Sequence, residues 1–561
     1  MPRSQPFSLL WPDGTGPSQA GTVLDPQCIR DLELESALAA LTDGRPRQSS
    51  IRKVFLNLCT DPVVIAYRQD VLDDLWHNPD FTMQLEALVP DLSALELSRI
   101  SVDRRRSPLQ EVAWRLGELE YLVNCVTGLN AVFAQAGGKV RAAGWRTLRD
   151  HMAQVVRDPV YQQLTRELPK LLQTIRAKVS VTIGVNLDDQ FRPVAATLLS
   201  VNAQPFTSST FLDRLLGHPG EGFKGLGPLH TVPDLPQGHG PSGRRGSNRD
   251  LNPFMDPLFR DLAQVLDSVC QPIAQALRQY DNLHSGFLAT LRDDLGFYLA
   301  FVRLMEGLRS RGLPVCRPEI APMTERVCEL HEAYNLNLGL HVMAHADDTA
   351  RIITNDVLLG DDGRICILTG PNQGGKTTYT QMVGVCQILA QAGLWVPAAR
   401  ARISPVDDIY THYPVEEQVA KGTGRFGDEA QRLSLIFSRG TRHSLVLLNE
   451  SLASTNSGES LYIAQDIVRV LRRLGARAIF ATHLHELAAD LAALNASTAG
   501  DSLIISLVAS RRESADEGPH RSYKIVPGPP LGRSYAREIA THYGISYDQL
   551  TALLQQRGVL E

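Results

Sequence analysis

Gly370-Pro-Asn-Gln-Gly-Gly-Lys-Thr377 is the stretch whose reading decides the fold. It satisfies Gly-x-x-x-x-Gly-Lys-[Ser/Thr] at every fixed position. It follows an apolar run at 365–368 and opens a helical pattern at Thr378, the strand–loop–helix context that a phosphate-binding loop needs. In such a loop the glycines let backbone N–H groups converge on phosphate oxygens, and the helix N-terminus adds a favourable partial charge. The candidate nucleotide-binding residues are therefore Gly370, Pro371, Asn372, Gln373, Gly374, Gly375, Lys376, Thr377 and Thr378. Lys376 would reach the β- and γ-phosphates of ATP, and the Thr377 hydroxyl would ligate Mg²⁺.

Downstream, Leu445-Val-Leu-Leu-Asn449-Glu450 reads as an apolar strand that delivers polar residues to its C-terminal end, beside the phosphates. Glu450 is placed to orient or deprotonate the attacking water. Asn449 stands where an Asp usually holds the metal's water shell; its amide can still accept a hydrogen bond but brings no charge. Thr377, Asn449 and Glu450 form the candidate Mg²⁺ set. A third apolar strand, Ala478-Ile-Phe-Ala-Thr482-His483, ends in a histidine that either reads the γ-phosphate or is structural. Strand-like runs alternate with helical ones from about 351 to 509, which argues for a parallel sheet covered by helices.

Outward from this region the texture differs. Residues up to about 30 are rich in Pro and Gly and read as an irregular lead-in. From 31 to 178 apolar residues recur at spacings of three and four, the helical pattern. Alternating β-branched residues at 179–201 read as strand, turn, strand. A Gly/Pro/Ser-rich insertion at 217–250 follows, then helical segments from 252 to 310, a helix expected near 323–335, and two short helices in 531–561. The 561 residues carry 43% hydrophobic and 21% charged side chains and a net charge of -5. Those values exclude a wholly disordered chain, a collagen-like repeat and a uniformly basic nucleic-acid coat. No two of the eight cysteines have C-x-x-C spacing, so reduced thiols are expected rather than a zinc ribbon. No run has the length and apolarity of a membrane helix or a signal peptide, and the expected location is cytoplasmic. The densest basic clusters are Arg104-Arg105-Arg106 and Arg244-Arg245 with Arg249; each is either a DNA contact or solvated surface.

Gly-Pro-Asn-x-Gly-Gly-Lys-Thr resembles the phosphate loop of the MutS family of DNA-repair ATPases. The resemblance continues through Gly393-Leu-Trp-Val-Pro397, Ile409-Tyr410-Thr411, the strand ending in Glu450, Ala481-Thr-His-Leu-His-Glu-Leu487 and Val526-Pro-Gly-Pro-Pro-Leu-Gly-Arg-Ser-Tyr535. It is weaker upstream, at Tyr67-Arg-Gln-Asp-Val-Leu-Asp-Asp-Leu75 and Asn355-Asp356. The resemblance implies a homodimer with two composite ATP sites and helical levers that grip DNA. It also implies Ile352 and Ile353 flanking the adenine, the 179–201 hairpin in the clamp, and a tail that buttresses the dimer.

Departures from the family pattern accompany it. The chain enters the helical core by about residue 30, with no room for a mismatch-reading domain and no Phe-x-Glu wedge ahead of the core, and no nuclease-like domain is expected after residue 561. The loop that reaches the partner's ATP, usually Ser-Gly-Arg-Ser-Thr-Phe, reads Lys421-Gly422-Thr-Gly424-Arg425-Phe426. Arg425 is either a charge stabiliser acting in trans or a surface arginine. After Glu450, Ser-Leu-Ala-Ser-Thr-Asn replaces the usual Gly-Arg-Gly-Thr-Ser-Thr.

The expected architecture is mixed. It has an irregular lead-in (1–30), an all-α lever and core domain (31–320) with a small β clamp insertion near 179–250, an α/β P-loop ATPase domain of the ABC type (321–530) and a helical dimerisation tail (531–561). Two functions remain open at this point. One is an ATP-switched homodimer that clamps distorted or branched double-stranded DNA in mismatch repair or recombination. The other is an ATP-gated scaffold for a protein or ribonucleoprotein partner, with slow or lost hydrolysis. A metabolic kinase fits less well, because no acceptor-substrate site accompanies the loop.

Overall fold

In the computed structural model the strand that precedes the phosphate loop, Ile365–Thr369, is flanked by neighbours on both sides and buried at every position. The structure describes residues 7–12, 21–42, 49–100, 108–176, 180–187, 189, 193–202, 207–208, 224–225, 277, 280, 286–345, 352–371, 373–414, 425–452, 456–512, 520–530, 541, 544–557 and 559. They fall into two compact units, Met1–Glu86 with Ala136–Leu148 and Thr290–Glu561, and Ala87–Gln135 with Arg149–Ala289.

The first unit is built on a six-stranded sheet. Its order is Ile409–His412, Leu445–Asn449, Arg477–Thr482, Ile365–Thr369, Ile504–Arg512, His520–Pro527. Every pairing is parallel except the last. The three middle strands expected from their continuous apolar runs are all present and fully buried, as strands covered on both faces must be. Helices such as Lys376–Gln391 and Ser457–Leu474 connect them; the latter starts at Asn456, whose side chain accepts from Glu459 N, and stops at Gly475 with φ 73°.

A second, four-stranded sheet has the order Glu319–Ile320, Arg400–Ile403, Cys328–Ala333, Asn355–Leu359. It corrects the helix expected near 323–335. Only the 3₁₀ turn Met323–Glu325 is helical there, and Cys328–Ala333 is a strand paired antiparallel on both sides. Leu, Glu and Ala are good helix formers, but Cys328 and Leu330 alternate into the core, and pairing with two neighbours overrides local propensity. The helix begins later, at Leu336–Ala344, with Asn335 accepting from Asn337 N.

The two sheets are pinned together by a buried cation. Arg477 is 0% exposed and donates from Nη1 to the carbonyls of Val327 (2.7 Å) and Ser404 (2.8 Å), and from Nη2 to that of Pro405 (3.0 Å). Burial pulls its pKa down to about 10, so it stays charged at neutral pH. Arg477→Met fills the space but removes three buried charge-assisted hydrogen bonds and leaves the Pro405 carbonyl without its donor; the Val327 carbonyl keeps Ser404 N and the Ser404 carbonyl keeps Gln387 Nε2. The substitution should cost on the order of 3 kcal/mol, read as a lower urea midpoint at unchanged slope.

The start of the chain packs onto this same unit. The lead-in expected to be irregular contains the helix Pro26–Asp31, capped by Asp25 with Pro26 in its first turn. Asp31 accepts from Thr411 Oγ1 (2.7 Å), and Gln381 of the phosphate-loop helix donates to the Asp31 carbonyl (3.0 Å). Gln391, at the far end of that helix, donates to the Cys59 carbonyl (3.0 Å). Arg68, 0% exposed, donates to the Leu10 carbonyl (2.9 Å) and lies 4.3 Å from the Trp11 ring centroid. Met1–Glu86 therefore clusters with the nucleotide-binding sheet, although its sequence pattern groups it with the helical core.

The second unit holds the helix Pro159–Arg176 and an antiparallel hairpin, Ser180–Leu187 with Pro193–Asn202. The hairpin is where alternating β-branched residues put it. The insertion beyond it, with Arg244, Arg245 and Arg249, lies outside the described residues, as do Arg104, Arg105 and Arg106. Among the described residues no helix is long and apolar enough to cross a membrane, the seven cysteines are free thiols, and no group of three or more His, Cys, Asp or Glu is placed to hold a metal ion.

Candidate nucleotide site

Three parallel strands end side by side, and each hands one part to the site. The register sets Asn449 opposite Ala481 and Thr369 opposite Thr482. The chain therefore leaves the sheet at Gly370, Glu450 and His483 along one edge, the carboxyl ends where such sheets bind ligands. Gly370 turns away with φ 149°, and a Cβ there would lie 2.6 Å from the Ala509 Cβ, so only glycine fits. Gly375, with φ 89°, caps the helix Lys376–Gln391, and this first turn, whose N–H groups have no partner within the helix, lines the cavity.

Lys376 is 4% exposed, and burial pulls its pKa down. Its ammonium donates to the carbonyls of Gly370 (3.0 Å) and Pro371 (3.1 Å) and lies 3.9 Å from Glu450 Oε1. Glu450 accepts from His483 Nε2 at 2.9 Å, which assigns the proton to Nε2 because a carboxylate only accepts. That bond, then the charges of His483 and Lys376, hold the Glu450 carboxyl below its ordinary range against a smaller effect of burial. Both partners of the Glu450–His483 contact are at least one-third exposed, so the pair adds little to stability. Thr377 Oγ1 donates to Asn449 Oδ1 at 3.2 Å, which joins the first turn of the loop helix to the end of the second strand.

A cavity of about 430 Å³ opens beside these groups. Of the residues expected from the sequence, Ile352, Ile353, Gln373, Gly374, Gly375, Lys376, Thr377, Thr378 and Glu450 line it. Gly370, Pro371, Asn449 and His483 adjoin it through the bonds just described. Asn372, Gly422 and Gly424 lie outside the described residues; Arg425 is the first residue of the helix Arg425–Arg439. Sequence reasoning missed the opposite wall, which comes from Leu338, His341 and Val342 of the helix Leu336–Ala344 and from Tyr523. The available signal was Asn335-Leu-Asn, a helix N-cap just before an apolar segment. The arrangement can cradle phosphates, place a cation under them and set a carboxylate against a bound water; its apolar far side suits a planar base.

Comparison with known proteins gives two family matches. Residues 366–544 match the model described as MutS domain V, and residues 60–311 match the MutS2 N-terminal domain. The chain is 36% identical over 208 residues to the DNA mismatch repair protein MutS 2 of Halobacterium salinarum, a stretch covering 37% of this chain and 23% of that relative. It is 34% identical over 208 residues to the DNA mismatch repair protein MutS of Prochlorococcus marinus, covering 37% and 21%. A longer match, 28% over 445 residues, is to the DNA mismatch repair protein MutS of Granulibacter bethesdensis, covering 76% of this chain and 46% of the relative. The chain thus spans less than half the length of these curated relatives.

Proposed function

The chain belongs to the MutS family, with a MutS domain V ATPase and a MutS2-type N-terminal region, and from that premise we propose that it is an ATP-switched dimer that clamps distorted or branched duplex DNA. The observation that carries the ATPase half is the convergence of Lys376, Glu450 and His483 on one edge of the sheet beside the phosphate loop. In this reading Lys376 and the loop amides bind the phosphates, Ile352 and Ile353 flank the base, and Glu450 orients the attacking water while His483 fixes its carboxylate. Thr377, Asn449 and Glu450 offer only oxygen donors, the set a hard cation such as Mg²⁺ takes beside phosphates. When bound, that ion neutralises charge on the phosphate oxygens.

The DNA half rests on the family. The relatives are named for DNA mismatch repair, and the helical region with the Ser180–Leu187 hairpin would form lever and clamp. Arg244, Arg245 and Arg249 would hold phosphates, so that binding reads backbone and shape, and the protein would work in the cytoplasm at the nucleoid. The tail would close the dimer. Its helix Tyr547–Gln556 has no buried residue and exposes Tyr547, Leu550 and Leu553, an apolar face suited to a second copy. Gly422, Gly424 and Arg425 would reach the partner's ATP. The deciding experiment is steady-state ATP hydrolysis with and without forked, mismatched and fully paired duplex DNA. Stimulation by forked or mismatched DNA is expected; no stimulation together with no DNA affinity at moderate salt would sink the clamp reading.

One feature favours the second reading, the ATP-gated scaffold with slow turnover. Asn449 replaces the usual carboxylate, and its amide oxygen already accepts the Thr377 hydroxyl. Asn449→Asp restores the charge and should tighten Mg²⁺-dependent nucleotide binding by about 10-fold, measured by Mg²⁺ titration at fixed nucleotide. An unchanged Mg²⁺ midpoint would remove Asn449 from the metal set.

A further inference from the structure

Glu450 and Leu452 both lie in the left-handed region, with φ 50° and 67°, a conformation non-glycine residues keep only where their surroundings impose it. Between them sits Ser451, 4% exposed, in the stretch where this chain departs from its family's pattern. The Ser451 Oγ lies 2.7 Å from Nδ1 of His412 and 3.2 Å from the His412 carbonyl oxygen. A carbonyl only accepts, so both contacts are satisfied when the single hydroxyl proton goes to the carbonyl and the serine oxygen accepts from Nδ1–H. His412 is 1% exposed, and burial, aided by Arg432, pulls its pKa down to about 4. The ring is therefore neutral in the working range, with one proton, on Nδ1.

The Glu429 backbone also bears on the ring and opposes the fall in its pKa, while Nε2 is buried without a hydrogen-bond partner. His412 is itself held firmly. It ends the edge strand Ile409–His412, the residue before it is bonded to Asp31, and the Tyr413 carbonyl accepts from Arg432 Nη1 (3.2 Å). Beyond Ser451, the Leu452 carbonyl accepts from Ser460 Oγ (2.7 Å). The turn that carries Glu450 is thus pinned on both sides, by His412 and by Ser460.

We propose that His412 is a positioning residue for ATP hydrolysis: through Nδ1–H it fixes Ser451 and so holds the left-handed turn that presents Glu450 to the cavity. The inference rests on the reading of Glu450 as the residue that orients water. Removing His412 frees the turn without touching the phosphate loop, so it acts on turnover and not on affinity.

The test uses the full chain with ATP, measuring kcat and the affinity for a fluorescent ATP analogue. His412→Ala should lower kcat about 10-fold while affinity stays within about twofold of wild type. His412→Asn puts an amide N–H where Nδ1–H was and should restore kcat to within about threefold. Ser451→Ala should lose as much as His412→Ala, and the double variant no more than either alone, the mark of two residues acting as one unit. A His412→Ala kcat within about twofold of wild type, or losses that multiply in the double variant, overturns the proposal. If His412→Ala does not fold, Ser451→Ala carries the same criterion. Glu450→Gln, run alongside, separates the two readings. If it is inactive while the His412 and Ser451 variants turn over normally, only this inference falls; if it is as active as wild type, the reading of Glu450 falls and this one with it.

Discussion

Lys376→Ala is expected to weaken ATP binding at least 100-fold, by about 3 kcal/mol. Lys376 is the cation bonded under the loop, and its ammonium spans from the Gly370 and Pro371 carbonyls toward Glu450. Burial already disfavours its charge, and an incoming phosphate would relieve that cost, so the site gains more from this lysine than a solvated one would provide. The alanine variant loses that gain and also leaves Glu450 balanced by His483 alone, facing the phosphates. Lys376→Arg should not rescue, because a planar guanidinium cannot occupy the compact place of an ammonium. Equilibrium titration with a fluorescent ATP analogue decides the matter, and an affinity within threefold of wild type would remove Lys376 from the site.

Glu450→Gln should leave binding intact and lower turnover by about 100-fold or more. The amide oxygen still accepts from His483, so the geometry persists while the base is lost; binding tightens slightly because a negative charge near the phosphates disappears. The pH profile gives a second check. The His483 bond holds the Glu450 carboxyl below its ordinary range, so the active ionised form persists as pH falls, and an acid limb due to Glu450 lies below the usual glutamate value of about 4.3. A limb nearer neutrality in the wild type that survives in Glu450→Gln belongs to another group.

What the sequence made legible had a local cause. The loop and the strands on either side of it are continuous apolar runs ending in polar residues, so 365–368, 445–448 and 478–481 could be read directly. The hairpin of the second unit announces itself by β-branched alternation. What escaped depended on partners far along the chain. Cys328–Ala333 has the composition of a helix and becomes a strand because Arg400–Ile403 and Asn355–Leu359 bracket it. The far wall of the cavity needs Tyr523 beside Leu338, residues no spacing rule relates. His412 and Ser451 carry no motif of their own in the sequence; only their 2.7 Å contact gives them a role. Likewise the opening residues carry no motif, and their place against the phosphate-loop helix appears only in three dimensions.

That last arrangement bears on how the chain is made. Asp31 bonds to a threonine 380 residues later, and Gln381 to a carbonyl 350 residues earlier. On a ribosome adding about 5–20 residues per second, the first helices wait roughly 20–75 seconds for the partners that bury them. During that interval Leu32, Leu34 and Leu38, all buried in the finished protein, face water. The nascent chain therefore carries exposed apolar helices until the phosphate-loop helix and the strand Ile409–His412 arrive, and the six-stranded sheet is complete only after His520–Pro527 has been made.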